Sequence, residues 1–436
     1  MADVRPRVLA ILPALFPSTI IGVAKPLLRL HHDRRIVLDL TLQYLTSRRA
    51  VARADVVVLC HTIDPQYGVI LDWARELGRP IIYEIDDDLL AVPDDIPGLA
   101  YLAEPARQAQ LVACLRQADI VRVYSPALRE KLSAYSANVS VVSGPLDWSL
   151  MRTPAPKRDG LVTIVYATGR TQDRVGAMLV APLGRVLDRH PGVRLTVWGA
   201  RHDALMSHPQ VRSLPLVRDY DTFFERFSRE GFDIGLAPLR DDEFHRGKSN
   251  NKFREYASCG IAGVYSDVCV YNTSVEHERT GLLVPNDDRS WESAISRVID
   301  DPELRRGIAE RGRAYAREHF NEAVTDAAWM HAIESVDRPA RPGRAPSSHS
   351  GSSPGELDKA LGLARFLGKL AGQVTPVLRE HGVRVVVQRT WQHVQGLGQF
   401  AAWLLKRRQL ERRINARRSG GSGPVAEPGV SHRTSH

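Results

Sequence analysis

The chain has 436 residues, of which 43% are hydrophobic and 25% charged, and its formal net charge is +9. This length exceeds what one hydrophobic core usually serves, so it favours two domains of ordinary size plus further segments. The segment from Arg338 to His436 holds 17 Lys and Arg against 5 Asp and Glu, which gives it +12 and leaves the rest of the chain at −3. Nucleic-acid binding needs cations on the binding face, and residues 1–337 carry no excess positive charge. This part of the chain is therefore not expected to bind nucleic acid.

Two further features bear on cellular location. The four cysteines are scattered without paired metal-ligand spacing, which favours buried, reduced thiols; they are Cys60, Cys114, Cys259 and Cys269. The N-terminal stretch MADVRPRVLAILPALFPS passes from a short basic patch directly into a strand-like run without a cleavage signal, and no window holds 18 uninterrupted apolar residues. The sequence therefore predicts a cytoplasmic protein that is neither secreted nor membrane-spanning.

Residues 1–150 alternate short apolar runs with helical patterns. The runs are RVLAIL, ADVVVLC, RPIIYEI, ADIVRVYS and NVSVVSGPLD. Runs that are apolar on both faces and separated by helices indicate a parallel sheet covered on both sides. This part is predicted to be a doubly wound, Rossmann-like domain.

The same pattern restarts at Leu161. Its runs are LVTIVYATG, VRLTVWGA, FDIGLAPL and IAGVYSD, and the helical segments APLGRVLDRHPG and NKFREYASCG end in glycine. We therefore predict a second Rossmann-like domain at 151–320, followed by a closing helix at 321–337. The proline-containing segment from Leu150 to Gly160 is the predicted hinge between the two domains.

The basic C-terminal segment divides into three predicted parts. Residues 338–355 are rich in Pro, Ser and Gly and are predicted to be a disordered linker. Residues 356–418 are predicted to be helical, and in them tryptophan and other apolar residues precede the basic run KRRQLERRINARR. This composition suits a helix lying on an anionic membrane surface, with docking onto the enzyme or a partner and attachment to nucleic acid as alternatives. Residues 419–436 are predicted to be disordered.

The predicted binding cleft lies between the domains, because doubly wound sheets bind ligands at the carboxyl ends of their strands. The loops at these ends are acidic or neutral in the first domain and basic at several points in the second, which favours a negatively charged donor there. Lys248, Ser249 as the expected N-cap, and Lys252 stand at the start of a helix, where free N–H groups favour anions. Glu255, three residues after Lys252, is placed to accept hydrogen bonds from two ribose hydroxyls. The spacing suits a nucleotide diphosphate.

The second half resembles a known family of enzymes. The segments NKFREYASCG, IAGVYSD, TGLLV and DDPELRR look like the donor-domain signature of retaining glycosyltransferases of the GT-B fold, particularly family 4. The resemblance covers about 161–320 well and the first half more loosely. It implies two Rossmann-like domains facing across a cleft. It also implies metal-independent sugar transfer, with retention, from a nucleotide-sugar to a saccharide or lipid-linked acceptor.

By this resemblance, several residues would bind the donor. Glu255 would hold the ribose, and Thr280 and Gly281 in TGLLV would mark the strand and turn that close the donor site. Such enzymes typically carry an Arg/Lys pair on the diphosphate, for which Arg170 together with Lys248 or Lys252 are the candidates.

One position departs from the family pattern. The family often has a second glutamate eight residues before the ribose glutamate, and this chain has Gly247 there. Instead it carries Arg-x-Lys-Ser-x-x-Lys, with Arg246, Lys248, Ser249 and Lys252, which resembles a subgroup of these enzymes. The residue that contacts the transferred sugar, and the sugar itself, are therefore left open.

The acceptor side is expected in the first domain. Asp86 or Asp87 in EIDDDL would lie near the acceptor hydroxyl, and His61 and Gly22 are further acceptor-binding candidates. A competing interpretation takes Asp86 and Asp88 as the Asp-x-Asp metal site of the other glycosyltransferase fold. The alternative for each aspartate is a solvated loop residue, and for His61 a loop histidine that only satisfies local hydrogen bonds.

Two glycines and two other function classes complete the predictions. Gly169 and Gly199 are expected to allow close backbone approach to the donor, with plain turn glycines as the alternative. A catalytically silent sugar-nucleotide-binding scaffold of the same fold remains open. A dinucleotide-dependent oxidoreductase is disfavoured, because no Gly-x-Gly-x-x-Gly follows the first strand of either half.

Overall fold

The computed structural model describes residues 5–96, 99–154, 156, 160–169 and 174–337, together with residues 405, 408, 409, 411 and 412. Of the predictions for 338–436, only these last five positions fall within the described residues, and the remainder of the predicted linker, helical tail and terminus lies outside them. Among the described helices, none is long and apolar enough to cross a membrane.

The first domain is built on a six-stranded parallel sheet with the order β2-β1-β3-β4-β5-β6. Its strands are β1 (Arg7–Leu12), β2 (Val37–Leu42), β3 (Val56–Cys60), β4 (Ile81–Glu84), β5 (Ile120–Val123) and β6 (Val139–Val141). The helices between them are α1 (Lys25–His32), α2 (Arg48–Arg53), α3 (Gly68–Glu76), α4 (Pro105–Gln117) and α5 (Pro126–Leu132). Strands β3 and β4 are buried along their whole length, because helices cover both faces of the sheet.

The second domain repeats this architecture with the order β12-β11-β10-β7-β8-β9, again all parallel. Its strands are β7 (Val162–Ala167), β8 (Val193–Trp198), β9 (Val211–Leu214), β10 (Ile234–Ala237), β11 (Ala262–Ser266) and β12 (Leu282–Val284). Its helices are α6 (Val180–Arg189), α7 (Asp203–Met206), α8 (Tyr220–Glu230), α9 (Glu243–Arg246), α10 (Asn251–Ser258), α11 (Cys269–Asn272), α12 (Asp288–Asp300) and α13 (Pro302–His319).

A last helix, α14 (Glu322–Ser335), returns from the second domain and packs against α1 of the first. The Trp329 indole is fully buried and donates its N–H to the Gly22 carbonyl at 2.8 Å. Arg29 binds Asp326 with its guanidinium, the closest contact being 2.6 Å. These contacts fix the first domain to the end of the second, so the two sheets face each other across a defined cleft. The prediction of a two-domain α/β fold is confirmed.

Candidate active site

Two cavities meet between the domains and form one cleft. The interdomain cavity has a volume of about 270 Å³ and lies at the carboxyl ends of β3 and β4. The donor-side cavity, of about 340 Å³, lies within the second domain beside the ends of β7 and β10. Lys248, Ser249 and Asn251 line both cavities, so the N-terminus of α10 is where they join.

Helix α10 begins at Asn251, one residue later than expected from Ser249 as the N-cap. Asn250 occupies the N-cap position with φ −78° and ψ 39°, and no side chain caps the helix. The prediction that Ser249 is the cap is therefore wrong, and the Asn250 amide instead donates to the Ser274 hydroxyl at 2.9 Å. First-turn N–H groups have no acceptor within a helix. Because Asn251 and Lys252 line the cleft, this turn leaves N–H groups free for an anionic ligand.

Lys252 and Glu255 form an ion pair on α10, with 2.7 Å between Nζ and the carboxylate. The Glu255 side chain is only 7% exposed, whereas Lys252 is 24% exposed and its ammonium lies 5.6 Å from the centre of the Phe223 ring. Lys252 lines the donor-side cavity and Glu255 the interdomain cavity. The structure thus brings together the two residues that were predicted to bind diphosphate and ribose.

Lys248 lies just before α10 and connects the second domain to the loop after β4 of the first domain. Its Nζ lies 2.9 Å from the Asp87 carboxylate and 4.3 Å from the centre of the Phe244 ring. Asp87 follows β4 and lines the interdomain cavity. A predicted donor residue and a predicted acceptor residue are therefore in direct contact across the cleft.

His61 and Asp86 form a second ion pair in the interdomain cavity, with 2.7 Å between Nε2 and the carboxylate. His61 directly follows β3 and has φ 48°, an uncommon conformation for a residue with a side chain, and such strain concentrates at functional sites. Burial opposes both pKa shifts, yet Asp86 raises the pKa of His61, and His61 together with Lys248 lowers the pKa of Asp86. Both shifts favour the pairing of an imidazolium with a carboxylate.

The floor of the interdomain cavity contains a buried ion pair that was not predicted. Arg122 on β5 donates from Nε to Glu84 on β4 at 2.8 Å, and these two residues are partners in the sheet register. The Tyr124 hydroxyl donates to the other Glu84 oxygen. Burial raises the pKa of Glu84 despite these partners. The available signal was one charged residue in each of two otherwise apolar strands.

Arg254 on α10 is the second residue that sequence reasoning missed. It is 5% exposed, lines the interdomain cavity and donates from Nη1 to the Pro145 carbonyl at 3.1 Å. Its guanidinium lies so close to Gly144 that a Cβ there would be 1.6 Å from Nη1, so a side chain at position 144 would require the guanidinium to move. The signal in the sequence was a charged side chain immediately before Glu255.

Gly22 and Gly169 also line the cleft, the first in the interdomain cavity and the second in the donor-side cavity. Gly199 does not line either cavity. It has φ 95°, and a Cβ there would lie 2.0 Å from the Thr168 carbonyl oxygen, so the protein's own backbone explains this glycine. Arg170, the candidate for the diphosphate, lies outside the described residues.

Three further candidates lie away from the cleft. Arg246 is 55% exposed and pairs with Asp241 at 2.7 Å. The Thr280 hydroxyl accepts the Glu276 N–H at 2.9 Å, and a Cβ at Gly281 would meet the Tyr265 ring at 2.6 Å. The last two therefore shape the loop before β12, and none of the three lines either cavity.

Gly247 closes the cleft instead of supplying a side chain to it. A Cβ at this position would lie 2.7 Å from the Asp88 Cβ of the first domain, and the Gly247 carbonyl accepts the Ser125 hydroxyl at 3.0 Å. Asp88 is 1% exposed and pairs with Lys131 at 2.6 Å, so it does not share a ligand position with Asp86. Among the described residues, no group of three or more His, Cys, Asp and Glu side chains could hold a metal ion.

Comparison with known proteins agrees with this geometry. Residues 174–330 match a family model described as glycosyl transferase-like. The fold resembles Anabaena HepE in complex with UDP and glucose, at 14% identity and a TM-score of 0.57, with 76% of this chain and 100% of that chain covered. It also resembles sucrose-phosphate synthase from Thermosynechococcus elongatus, at 14% identity and a TM-score of 0.56, with 76% and 98% covered. Comparison with curated protein sequences gave no match.

The family match covers α10, the Lys252 and Glu255 pair and the cations beside it. The structural matches span both domains and establish the GT-B architecture. Residues 174–330 therefore resemble glycosyl transferase-like proteins, and the two domains together have the GT-B fold.

Proposed function

We propose that this enzyme transfers a sugar from a nucleotide-diphosphate donor, bound at α10, to a hydroxyl of a saccharide or lipid-linked acceptor in the interdomain cavity. The observation that carries the proposal is the Lys252 and Glu255 pair, 2.7 Å apart at the junction of the two cavities. In a nucleotide-sugar the diphosphate and the ribose are neighbouring groups. The diphosphate needs a cation and the ribose hydroxyls need a hydrogen-bond acceptor, so a lysine and a glutamate at this separation suit them.

In this geometry, donor binding replaces the contact between Lys252 and Glu255 with contacts from each residue to the donor. The diphosphate takes Lys252 from Glu255 and accepts hydrogen bonds from the free N–H groups of the first turn of α10. The Glu255 carboxylate, released from Lys252, then accepts hydrogen bonds from the ribose hydroxyls. Since Glu255 is almost fully buried, it needs this replacement partner for its charge.

Two lysines stabilise the leaving diphosphate. Lys248 and Lys252 both face the junction of the cavities, and positive groups fixed where negative charge develops lower the barrier to bond breaking. In the proposed mechanism they carry out this task without a metal ion. Arg170 remains a proposed third cation.

The acceptor hydroxyl is proposed to lie beside the His61 and Asp86 pair. Both side chains line the interdomain cavity, and His61 is held in its unusual backbone conformation with its ring directed to Asp86. A carboxylate whose pKa is lowered stays ionised and can orient a hydroxyl by accepting its hydrogen bond. Once Lys248 turns to phosphate, Asp87 offers a second carboxylate that can accept a hydrogen bond from the acceptor hydroxyl. Retention of configuration follows from the family resemblance.

The test is donor turnover by the full-length protein. UDP-, GDP-, ADP- and dTDP-sugars are incubated with mixed saccharide and lipid-linked acceptors, and nucleoside diphosphate release is measured with and without EDTA. We expect release from one nucleotide class, unaffected by EDTA and lowered at least about a hundredfold in Lys252→Met, since removal of one group that stabilises transition-state charge has this size of effect. Arg48→Met is the control, because Arg48 is an exposed cation that lines neither cavity and pairs with the exposed Glu76.

Two outcomes would contradict the proposal. Binding of a nucleotide-sugar without any release, by a protein shown to be folded, would favour a silent scaffold of the same fold. Loss of release on adding EDTA, with recovery on adding a divalent cation, would refute metal independence while leaving the transfer itself intact.

A further inference from the structure

We infer that Arg254 recognises an anionic group, a carboxylate or a phosphate, on one of the two sugars that meet in the interdomain cavity. The inference rests on the proposed function, because that function places the transferred sugar and the acceptor in this cavity. It adds the chemical class of the substrate, which the donor-binding residues do not define.

The first step is the charge balance of the cavity. Four carboxylates line it, and each has its own cationic partner within 2.9 Å. The pairs are Glu84 with Arg122, Asp86 with His61, Asp87 with Lys248 and Glu255 with Lys252. Arg254 also lines the cavity, and no carboxylate of the described residues lies within 4.0 Å of its guanidinium.

The second step is the burial of this charge. Arg254 is 5% exposed, and its partners among the described residues are two neutral oxygens, the Pro145 carbonyl and the Asn251 side-chain oxygen. Within this part of the chain its Nε is buried without a hydrogen-bond partner. A buried guanidinium without a counter-ion is costly, because the protein interior does not replace the water that solvated it. An anionic ligand would supply the missing charge.

The third step is the position of the guanidinium. The guanidinium lies beside Gly144 at the wall of the cavity and donates to the Pro145 carbonyl, and it occupies the space that a side chain at position 144 would need. A guanidinium has five N–H groups, of which two are donated to the protein here, so others remain for a ligand. Arginine binds carboxylates and phosphates more strongly than neutral oxygens.

The anionic group has two sources, and binding measurements on the full-length protein separate them. In the donor arm, calorimetry compares UDP-glucuronate with UDP-glucose and GDP-mannuronate with GDP-mannose. In the acceptor arm, methyl glucuronide and glucose 6-phosphate are compared with methyl glucoside, in the presence of saturating UDP or GDP. Each comparison uses wild type, Arg254→Met and the control Arg48→Met, at an exposed cation outside both cavities.

We expect wild type to bind the anionic member of one arm at least about tenfold more tightly than the neutral one, since hydrogen bonds to charged groups contribute differences of this order. Arg254→Met should lose this preference while it keeps its affinity for free UDP or GDP. Arg48→Met should retain both the preference and the affinity for UDP or GDP. Should Arg254→Met fail to fold, Arg254→Lys keeps the charge and is expected to retain part of the preference.

The outcomes separate this inference from the proposed function. If wild type binds UDP or GDP but binds anionic and neutral sugars equally in both arms, the role of Arg254 is refuted and the proposed donor site stands. If no nucleoside diphosphate binds, yet anionic sugars bind through Arg254, the donor site is refuted and the anion site stands. An anionic preference that survives in Arg254→Met also refutes the inference.

Discussion

The replacement Glu255→Gln tests the donor site most directly. In the free protein the Glu255 carboxylate is paired with Lys252 at 2.7 Å and is almost fully buried. The substitution keeps the size of the side chain but removes its charge. We therefore expect it to weaken nucleoside diphosphate binding through the ribose while it leaves the fold intact.

The size of the effect follows from two opposing contributions. Hydrogen bonds from two ribose hydroxyls to a carboxylate contribute about 1.5–3 kcal/mol each, and glutamine retains one neutral acceptor in place of two charged ones. Against this loss, Lys252 no longer has to leave Glu255 before it binds phosphate, which recovers about 1 kcal/mol. The net cost should be about 2 kcal/mol, or about thirtyfold in Kd.

A thermodynamic cycle isolates the ribose contact. Calorimetry measures the affinity of wild type and Glu255→Gln for a nucleoside diphosphate and for its 2′,3′-dideoxy analogue, with the base chosen as the tightest of UDP, GDP, ADP and dTDP. Loss of the hydroxyls should cost wild type at least about 1 kcal/mol more than it costs the variant. Glu243→Gln is the control, because Glu243 is exposed and lines neither cavity.

If the dideoxy analogue loses the same affinity in both proteins, Glu255 does not bind the ribose. The same result with normal overall affinity in Glu255→Gln would place the nucleotide elsewhere in the cleft.

Two further predictions concern stability. Arg122→Met leaves the buried Glu84 carboxylate without its cation, which should cost about 3–5 kcal/mol in urea unfolding at pH 8. Burial already raises the pKa of Glu84 above its unfolded value, so ionisation of Glu84 destabilises the fold as pH rises through the folded pKa. The cost of Arg122→Met in unfolding free energy should therefore shrink towards acid pH, and also in the double variant Arg122→Met/Glu84→Gln. An unchanged cost in either case would contradict this account. Gly247→Ala places a Cβ 2.7 Å from the Asp88 Cβ and should lower the free energy of unfolding by about 1–3 kcal/mol. In the control Gly184→Ala, within α6, the Cβ meets nothing within 4 Å and the free energy of unfolding should rise by about 0.5–1 kcal/mol. Equal effects of the two substitutions on Tm would exclude the interdomain clash.

The fold was predictable because its central strands are apolar on both faces. The runs containing β3, β4, β7 and β11 are continuous in Val, Ile and other buried residues, and only a sheet covered by helices on both sides needs such runs. The edge strands β2 and β9 were not singled out. Polar residues that are not buried interrupt each of them, as Asp39 does in β2 and Arg212 and Ser213 do in β9, since an edge strand is less deeply covered than a central one.

The proximity of the candidate donor residues was predictable because they are local. Lys248, Lys252 and Glu255 lie within eight residues; Lys252 and Glu255 share one face of α10, and Lys248 lies just before this helix. The contact of Glu84 with Arg122 joins residues 38 positions apart and depends on the register of two strands. Whether an arginine such as Arg254 faces solvent or a cavity depends on tertiary packing, which periodicity alone does not determine.

The ion pairs also couple the two halves of the cleft. Lys248 belongs to the second domain, yet in the free protein it is held by Asp87 of the first. Under the proposed function, a diphosphate competes with Asp87 for this lysine, so donor binding releases a carboxylate at the place where the acceptor hydroxyl is expected. Acceptor binding before the donor would meet Asp87 already occupied. The arrangement therefore favours donor binding first, because the same lysine that binds the donor makes the acceptor site available.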